Sequence, residues 1–294
     1  MDARIGRSSF TCKLDETRAF GGGLSSPGVK SPKKRERIDR KMKSVSELRV
    51  KIFADGADKA GILDMYRNPN IRGFTTNPTL MRKAGVRDYE AFAREILALI
   101  PDRPISLEVL ADEFSKMEEQ ARTIAGWADN VFVKIPITNT KGASSVRLVR
   151  RLSRDGIKLN VTALLTLDQV RDVTAALSGG APANVSVFAG RIADTGRDPV
   201  PVMAAAVEML REVPNVEIIW ASPRELLNIF QADAVGCHII TATNDILKKL
   251  VLLGKDLSDY SLETVKMFYS DAVASGFALP RPAERRYAAL RVSG

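Results

Sequence analysis

From residue 50 onward the chain alternates between short β-rich runs and longer stretches with helical spacing of apolar residues, and no other feature of the sequence restricts its fold as much. The β-rich runs cover 50–55, 71–77, 105–110, 131–136, 158–165, 185–189, 217–222 and 237–243. Each is followed by a stretch whose apolar residues fall at helical intervals. The clearest is 113–128, where Phe114, Met117, Ala121, Ile124 and Ala128 recur at intervals of three and four and so share one stripe. Further helices are expected over 89–100, 143–153, 167–177, 202–213, 224–233 and 245–253, and one more, 261–275, follows the eighth unit. A helix that returns the chain to the start of the next strand makes successive strands parallel. Eight such units in about 200 residues predict an α/β fold of the (β/α)8 TIM-barrel type with an extra C-terminal helix. An open doubly wound sheet is the alternative, but no run is followed by the Gly-x-Gly-x-x-Gly turn typical of its dinucleotide-binding members.

The charge is distributed unevenly around this repeating region. The chain carries 44 Lys and Arg against 35 Asp and Glu, a formal charge of +9 over 294 residues. Residues 1–44 hold 12 basic and 5 acidic side chains, 45–277 hold 28 and 29, and 278–294 hold 4 and 1. The organisation expected is therefore a flexible basic tail over 1–44, a barrel with its C-terminal helix over 45–277, and a second basic tail over 278–294. Residues 19–35 are too rich in Gly, Ser, Pro and charge to offset their ordering entropy by burial. A polyanion could be drawn to Lys33–Lys43, but no aromatics alternate with the charges to form a base-stacking surface, so a solvated tail is favoured over nucleic-acid binding. Another reading takes Met42 as the natural start. No stretch approaches the ~18 consecutive apolar residues of a membrane helix. The first 44 residues lack an apolar central segment and contain Asp2, Asp15, Glu16, Glu36 and Asp39, unlike a targeting peptide. Cys12 and Cys237 are the two cysteines and match neither a metal pattern nor a disulfide framework, so a reducing cytoplasm is expected.

In a barrel of this kind functional groups gather where the strands end. There the sequence puts Asp55 on the first strand, Thr75, Thr76 and Asn77 on the second, Glu108 on the third and Lys134 on the fourth. Asn160 and Thr162 sit on the fifth, Ser186 and Phe188 on the sixth and Ser222 on the seventh, with Arg191 and Arg224 just beyond the last two. A barrel interior is ordinarily lined by Val, Ile and Leu, so polar groups on so many strands call for a chemical reason. Lys134, within Val-Phe-Val-Lys-Ile-Pro, is flanked by apolar residues and belongs to a buried strand. Desolvation favours the neutral amine, which can attack a carbonyl and form a Schiff base. The competing reading is a structural salt bridge with Asp55 or Glu108.

A Schiff base is an electron sink, and with it a bound ketose can break its C3–C4 bond once a base takes the C4 hydroxyl proton. Asp55 is the candidate base, and Glu108 with Thr162 could shuttle protons through a water during imine formation. Asn77 and Asn160 suit sugar hydroxyls because an amide both donates and accepts. Arg191 and Arg224 suit a terminal phosphate through their fork geometry, the alternative being rim ion pairs with Asp194 or Glu225. His238 and Cys237 read as core residues, and Gly179-Gly180 as a loop. No His, Cys or carboxylate spacing suggests a metal, and no cofactor is expected.

Four segments carry a resemblance: Gly73-Phe74-Thr75-Thr76-Asn77-Pro78-Thr79, Val133-Lys134-Ile135-Pro136, Asn160-Val161-Thr162-Ala163-Leu164 and Ser186-Val187-Phe188-Ala189-Gly190-Arg191-Ile192. In this order they resemble the transaldolase family of class I aldolases over about 50–275. The resemblance implies a (β/α)8 barrel with the Schiff-base lysine at Lys134 and its first-strand acid at Asp55. It assigns the amide of the second strand to Asn77 and the third-strand carboxylate to Glu108. Asn160 and Thr162, Ser186 and Arg191, and Ser222 and Arg224 match the later motifs. Sugar phosphates are the implied substrates. In this resemblance free fructose 6-phosphate aldolases carry Gln where Glu108 stands and Tyr where Phe188 stands, so these residues favour transfer of a dihydroxyacetone unit. The short C-terminal region and Lys134-Ile135-Pro136-Ile137-Thr138 resemble the small aldolase branch, whose members form rings through a C-terminal helix, and a homo-oligomer is implied. Gly56 and Pro223 depart from the family pattern, which bears on substrate positioning and on the aim of Arg224.

Overall fold

In the computed structural model, which describes residues 43–279, the eight β-rich runs become strands whose residues alternate between the apolar layer beneath the helices and the barrel interior. They are β1 (Lys51–Asp55), β2 (Ile71–Thr75), β3 (Ile105–Glu108), β4 (Val131–Pro136), β5 (Leu159–Leu164), β6 (Ala183–Val187), β7 (Val216–Trp220) and β8 (Ile239–Thr243). All neighbours pair in parallel and in chain order, and β1 pairs with β8 from Lys51↔Ile239 to Asp55↔Thr243, closing the barrel. The helices are α1 (Lys59–Tyr66), α2 (Pro78–Lys83), α3 (Tyr89–Leu99), α4 (Phe114–Ala125), α5 (Val146–Arg154), α6 (Leu167–Leu177), α7 (Ala189–Asp194), α8 (Pro199–Met209), α9 (Leu227–Ala234), α10 (Asn244–Leu247) and α11 (Leu257–Ser275). This is a (β/α)8 TIM barrel with an added C-terminal helix. No helix among the described residues is long and apolar enough to cross a membrane.

Two apolar layers hold it together. Outward-facing strand residues such as Val133, Ile135, Val161, Val185, Ile218 and Ile240 are buried against the stripe of α4 (Met117, Ala121, Ile124) and against Leu148, Val149 and Leu152 of α5 and their counterparts around the ring. Each such side chain contributes roughly 1.5–3 kcal/mol by leaving water. A second, smaller cluster fills the barrel itself, with Phe53, Ile219, Ala221 and Ile239 packed together and Phe188 over them. Phe53 fits because Gly73 faces it: a β-carbon at Gly73 would lie 2.5 Å from the ring.

Several expected boundaries move. The sixth and seventh strands begin and end earlier than 185–189 and 217–222, so Phe188 and Ser222 lie beyond their strands. Asn77 likewise leaves the second strand and caps α2, its Oδ1 accepting from Leu80 N at 3.0 Å with Pro78 in the first turn. Three short helices, α1, α2 and α7, were too brief to show a period. The helix expected over 143–153 starts at Val146, because Thr138 bridges Ser144 and folds the preceding segment back on itself. The one expected over 245–253 divides into α10 and a 3₁₀ segment, Lys248–Leu252. α9 starts three residues later than expected at Leu227, and α11 starts earlier, at Leu257, where Asp256 accepts from Ser258 N at 2.8 Å.

Residues 1–42, including the Met42 start, and 280–294 lie outside the described residues, and with them most of both expected tails. Lys43 and Ser44, counted in the first tail, are tied down. Ser44 caps the 3₁₀ turn Val45–Glu47, and Lys43 Nζ lies 2.5 Å from Asp233 Oδ2 on α9. The buried Asp233 carboxylate also accepts from Arg49 N at 2.7 Å and Val50 N at 3.2 Å. Burial alone would raise its pKa, but Lys43 and the two amides outweigh that and hold it below the ordinary carboxylate range.

Candidate active site

Of the thirteen side chains singled out at the strand ends, twelve line one cavity of about 670 Å³ at the carboxyl end of the strands: Asp55, Thr75, Asn77, Glu108, Lys134, Asn160, Thr162, Ser186, Phe188, Arg191, Ser222 and Arg224. The thirteenth, Thr76, is buried and spends its hydroxyl on Ser106 O at 3.1 Å. Alternation accounts for the convergence on β4, where Val131, Val133 and Ile135 pack outward and Lys134 turns inward with its side chain 8% exposed. Its ammonium donates to Thr76 O at 2.7 Å and lies 3.3 Å from Glu108 Oε2, the carboxylate in register on β3. The salt bridge expected as the competing reading is therefore present, with Glu108. That carboxylate is only 16% exposed and is the nearest group able to take a proton from Nζ.

Asp55 ends β1 and lines the same cavity. Burial raises its pKa, and the positive field of Lys134 and the Thr75 hydroxyl oppose that rise. Thr75 Oγ1 donates to Asp55 Oδ1 at 2.7 Å and lies 2.6 Å from Thr241 Oγ1. Since the single Thr75 proton goes to the carboxylate, Thr241 donates to Thr75, and the two hydroxyls form a directed chain ending on Asp55.

The amides are held in different ways. Asn160, fully buried on β5, donates from Nδ2 to Ser106 Oγ at 2.9 Å and accepts from Ser186 Oγ at 2.7 Å. Its second N–H and second lone pair are left to the cavity. Asn77 spends its Oδ1 on the α2 cap, so it offers the cavity donors and not the donor–acceptor pair expected of it. Past Asn160 the β5–β6 register shifts between Val161 and Leu164, and Ala163 adopts φ 66°. Such a bulge redirects the side chain beside it. The side chain is Thr162, whose buried Oγ1 has no protein partner among the described residues.

At the far side Arg191 stands on α7 with its guanidinium 5.5 Å from the centre of the Phe188 ring. Arg224 follows β7 and pairs with Asp194, Nε at 3.0 Å from Oδ1 and Nη2 bonded to Oδ2, which is one of the rim ion pairs anticipated from the sequence. The α7 turn that carries Arg191 and the segment that carries Arg224 touch backbone to backbone. Ser222 adopts φ 60°, and a β-carbon on Gly190 would fall 1.5 Å from Ser222 O, so only glycine fits there.

The cavity also contains residues that sequence reasoning passed over, chiefly Thr241 and Thr243 of β8 and Asp245. The signal was available: Ile239, Thr241 and Thr243 alternate along the strand, but the apolar residues around them read as core. His238 beside them is half-buried, and its Nδ1 accepts from Ile218 N at 3.2 Å, while burial lowers its pKa. Cys237 is buried, which pushes its thiol up to about 12.

The family described as transaldolase/fructose-6-phosphate aldolase matches residues 52–279. A probable transaldolase of Dehalococcoides mccartyi is 34% identical over 203 residues, 69% of this chain and 90% of that protein. A probable transaldolase 2 of Listeria monocytogenes is 36% identical over 202 residues, covering 68% of this chain and 88% of its own. A probable transaldolase of a Thermoanaerobacter species is 34% identical over 218 residues, 74% of this chain and 95% of that one.

Proposed function

The chain belongs to the transaldolase/fructose-6-phosphate aldolase family, and we propose that it transfers a dihydroxyacetone unit from a ketose phosphate to an aldose phosphate through a Schiff base on Lys134. One observation carries the assignment: a lysine with an 8% exposed side chain faces a cavity of hydroxyls, amides and two carboxylates, with a proton acceptor 3.3 Å from its nitrogen.

Glu108 takes a proton from Nζ, and the neutral amine attacks the ketose C2. The carbinolamine loses water to give an iminium, with Glu108 and the unpartnered Thr162 hydroxyl moving protons through a water. Asp55 then takes the C4 hydroxyl proton and the C3–C4 bond breaks. Its electrons pass into the iminium, leaving an enamine on Lys134 and a free aldehyde. The enamine carbon attacks the carbonyl of the acceptor aldehyde, whose oxygen recovers the proton from Asp55, and water hydrolyses the new iminium. Asn160, Ser186, Thr75 and the Asn77 amide hold hydroxyls, and Arg191, Ser222 and Arg224 hold the phosphate.

Borohydride treatment with fructose 6-phosphate should leave a mass adduct on Lys134 that is absent in Lys134→Ala. An adduct that persists in that variant overturns the assignment. Without erythrose 4-phosphate the enzyme should release little dihydroxyacetone, whereas free release at the same rate identifies an aldolase. The partner proposed for the chain is a second copy of itself, joined through α11, whose large apolar side chains all lie exposed.

A further inference from the structure

The guanidinium of Arg224 is gripped along one edge. Asp194 takes Nε–H and one Nη2–H with its two oxygens, which leaves the adjoining Nη1/Nη2 edge, with one N–H from each nitrogen, free to donate. Arg224 and Asp194 side chains are 47% and 53% exposed, and an ion pair in that setting adds little to stability. Its planar two-point geometry nevertheless fixes where the free edge points. Asp194 is itself firmly placed. It ends α7, whose Gly190 packs against the Ser222 carbonyl and donates from N to Ala221 O at 3.3 Å, and the same helix carries Arg191. The α7 turn and the segment after β7 thus form one unit, in which Asp194 ties Arg224 to the helix that carries Arg191, and both arginines line the cavity.

We propose that Asp194 is a positioning residue of the anion subsite, holding Arg224 so that its free Nη1/Nη2 edge, beside Arg191, receives the phosphate monoester of the substrate. The inference rests on the functional reading above and adds to it a residue that acts only through Arg224. It also opposes the simpler view in which Asp194 competes with phosphate for the guanidinium. The two views predict opposite signs on removal of the carboxylate.

Asp194→Asn, Asp194→Glu and Arg224→Met are compared with the unaltered full chain. The measurements are KM and kcat with fructose 6-phosphate, the inhibition constant of inorganic phosphate, and borohydride trapping of unphosphorylated dihydroxyacetone. For Asp194→Asn we expect KM and the phosphate inhibition constant to rise together by about tenfold, with kcat and dihydroxyacetone trapping within about twofold of the unaltered chain. Asp194→Glu should recover part of the loss. A lower inhibition constant in Asp194→Asn makes the carboxylate a competitor and overturns the proposal. Equal losses with phosphorylated and unphosphorylated compounds make it a general structural residue and overturn it as well. If Arg224→Met leaves KM and phosphate inhibition unchanged, the phosphate assignment of Arg224 fails and the proposal falls with it, whatever the Asp194 variants do.

Discussion

A buried lysine beside a carboxylate is costly to maintain, and the surroundings of Lys134 show what the cost supports. Glu108 and the Thr76 carbonyl satisfy the ammonium, while Asp55 accepts from the Thr75 hydroxyl. The sign of a pH effect follows. Burial raises the Asp55 pKa, Lys134 and Thr75 oppose the rise, and Lys134 is the charged side chain whose field acts on that carboxylate. As a base Asp55 must be ionised, so kcat/KM should fall as the pH drops through its raised pKa. Thr75→Val deletes the donor and should move that acidic limb to higher pH. Thr241→Val, which frees the Thr75 proton to turn away, should move it the same way by less, and Thr75→Ser should leave it in place. A limb that does not move in Thr75→Val removes Asp55 from the role of base. Lys134, Asp55 and Glu108 were legible from residue type at strand ends. Thr241 was passed over although it alternates with Ile239 and Thr243 along β8, because the apolar residues around it read as core.

Strands and helices of ordinary length were legible wherever a period had room to repeat, as in the stripe of α4. The short helices of the active-site rim, α2 and α7, span six residues each. That is under two turns, so their positions follow from caps and contacts and not from periodicity. The same limit applies to the β5 bulge at Ala163, a left-handed residue of ordinary type that nothing in its neighbours announces. Close packing inside the barrel makes a second prediction. Gly73→Ala would bring a β-carbon to 2.5 Å from the Phe53 ring, and overpacking of this sort costs about 1–3 kcal/mol. Chemical denaturation should show that loss, and Phe53→Leu in the same chain should restore part of it. Full additivity of the two losses would mean that the residues do not meet.

For the molecule as a whole, α11 stands apart from the layers that stabilise the barrel. None of its residues is buried, although it carries Leu257, Leu262, Val265, Phe268, Tyr269 and Val273, and Phe277 and Leu279 follow it. An apolar surface of this extent is a mark of an interaction site. Removing residues 256–294 should therefore convert the assembly to a smaller species in light scattering while leaving the barrel folded by circular dichroism and Lys134 still trappable. A full-length chain that is already monomeric, or a truncated one of unchanged oligomeric state, would count against assembly through this helix. The period of two or 3.6 is a local property of the chain, so the sequence was sufficient to establish the number of units, their parallel direction and the polar residues at the strand ends. Closure of the barrel is not local. It decides that β1 meets β8, that Glu108 stands beside Lys134, that Thr241 reaches Asp55 through Thr75, and that Asp194 at the end of α7 grips Arg224 beyond β7. Those pairings depend on register and on backbone approach within tenths of an ångström, which residue identity constrains only after the chain has folded.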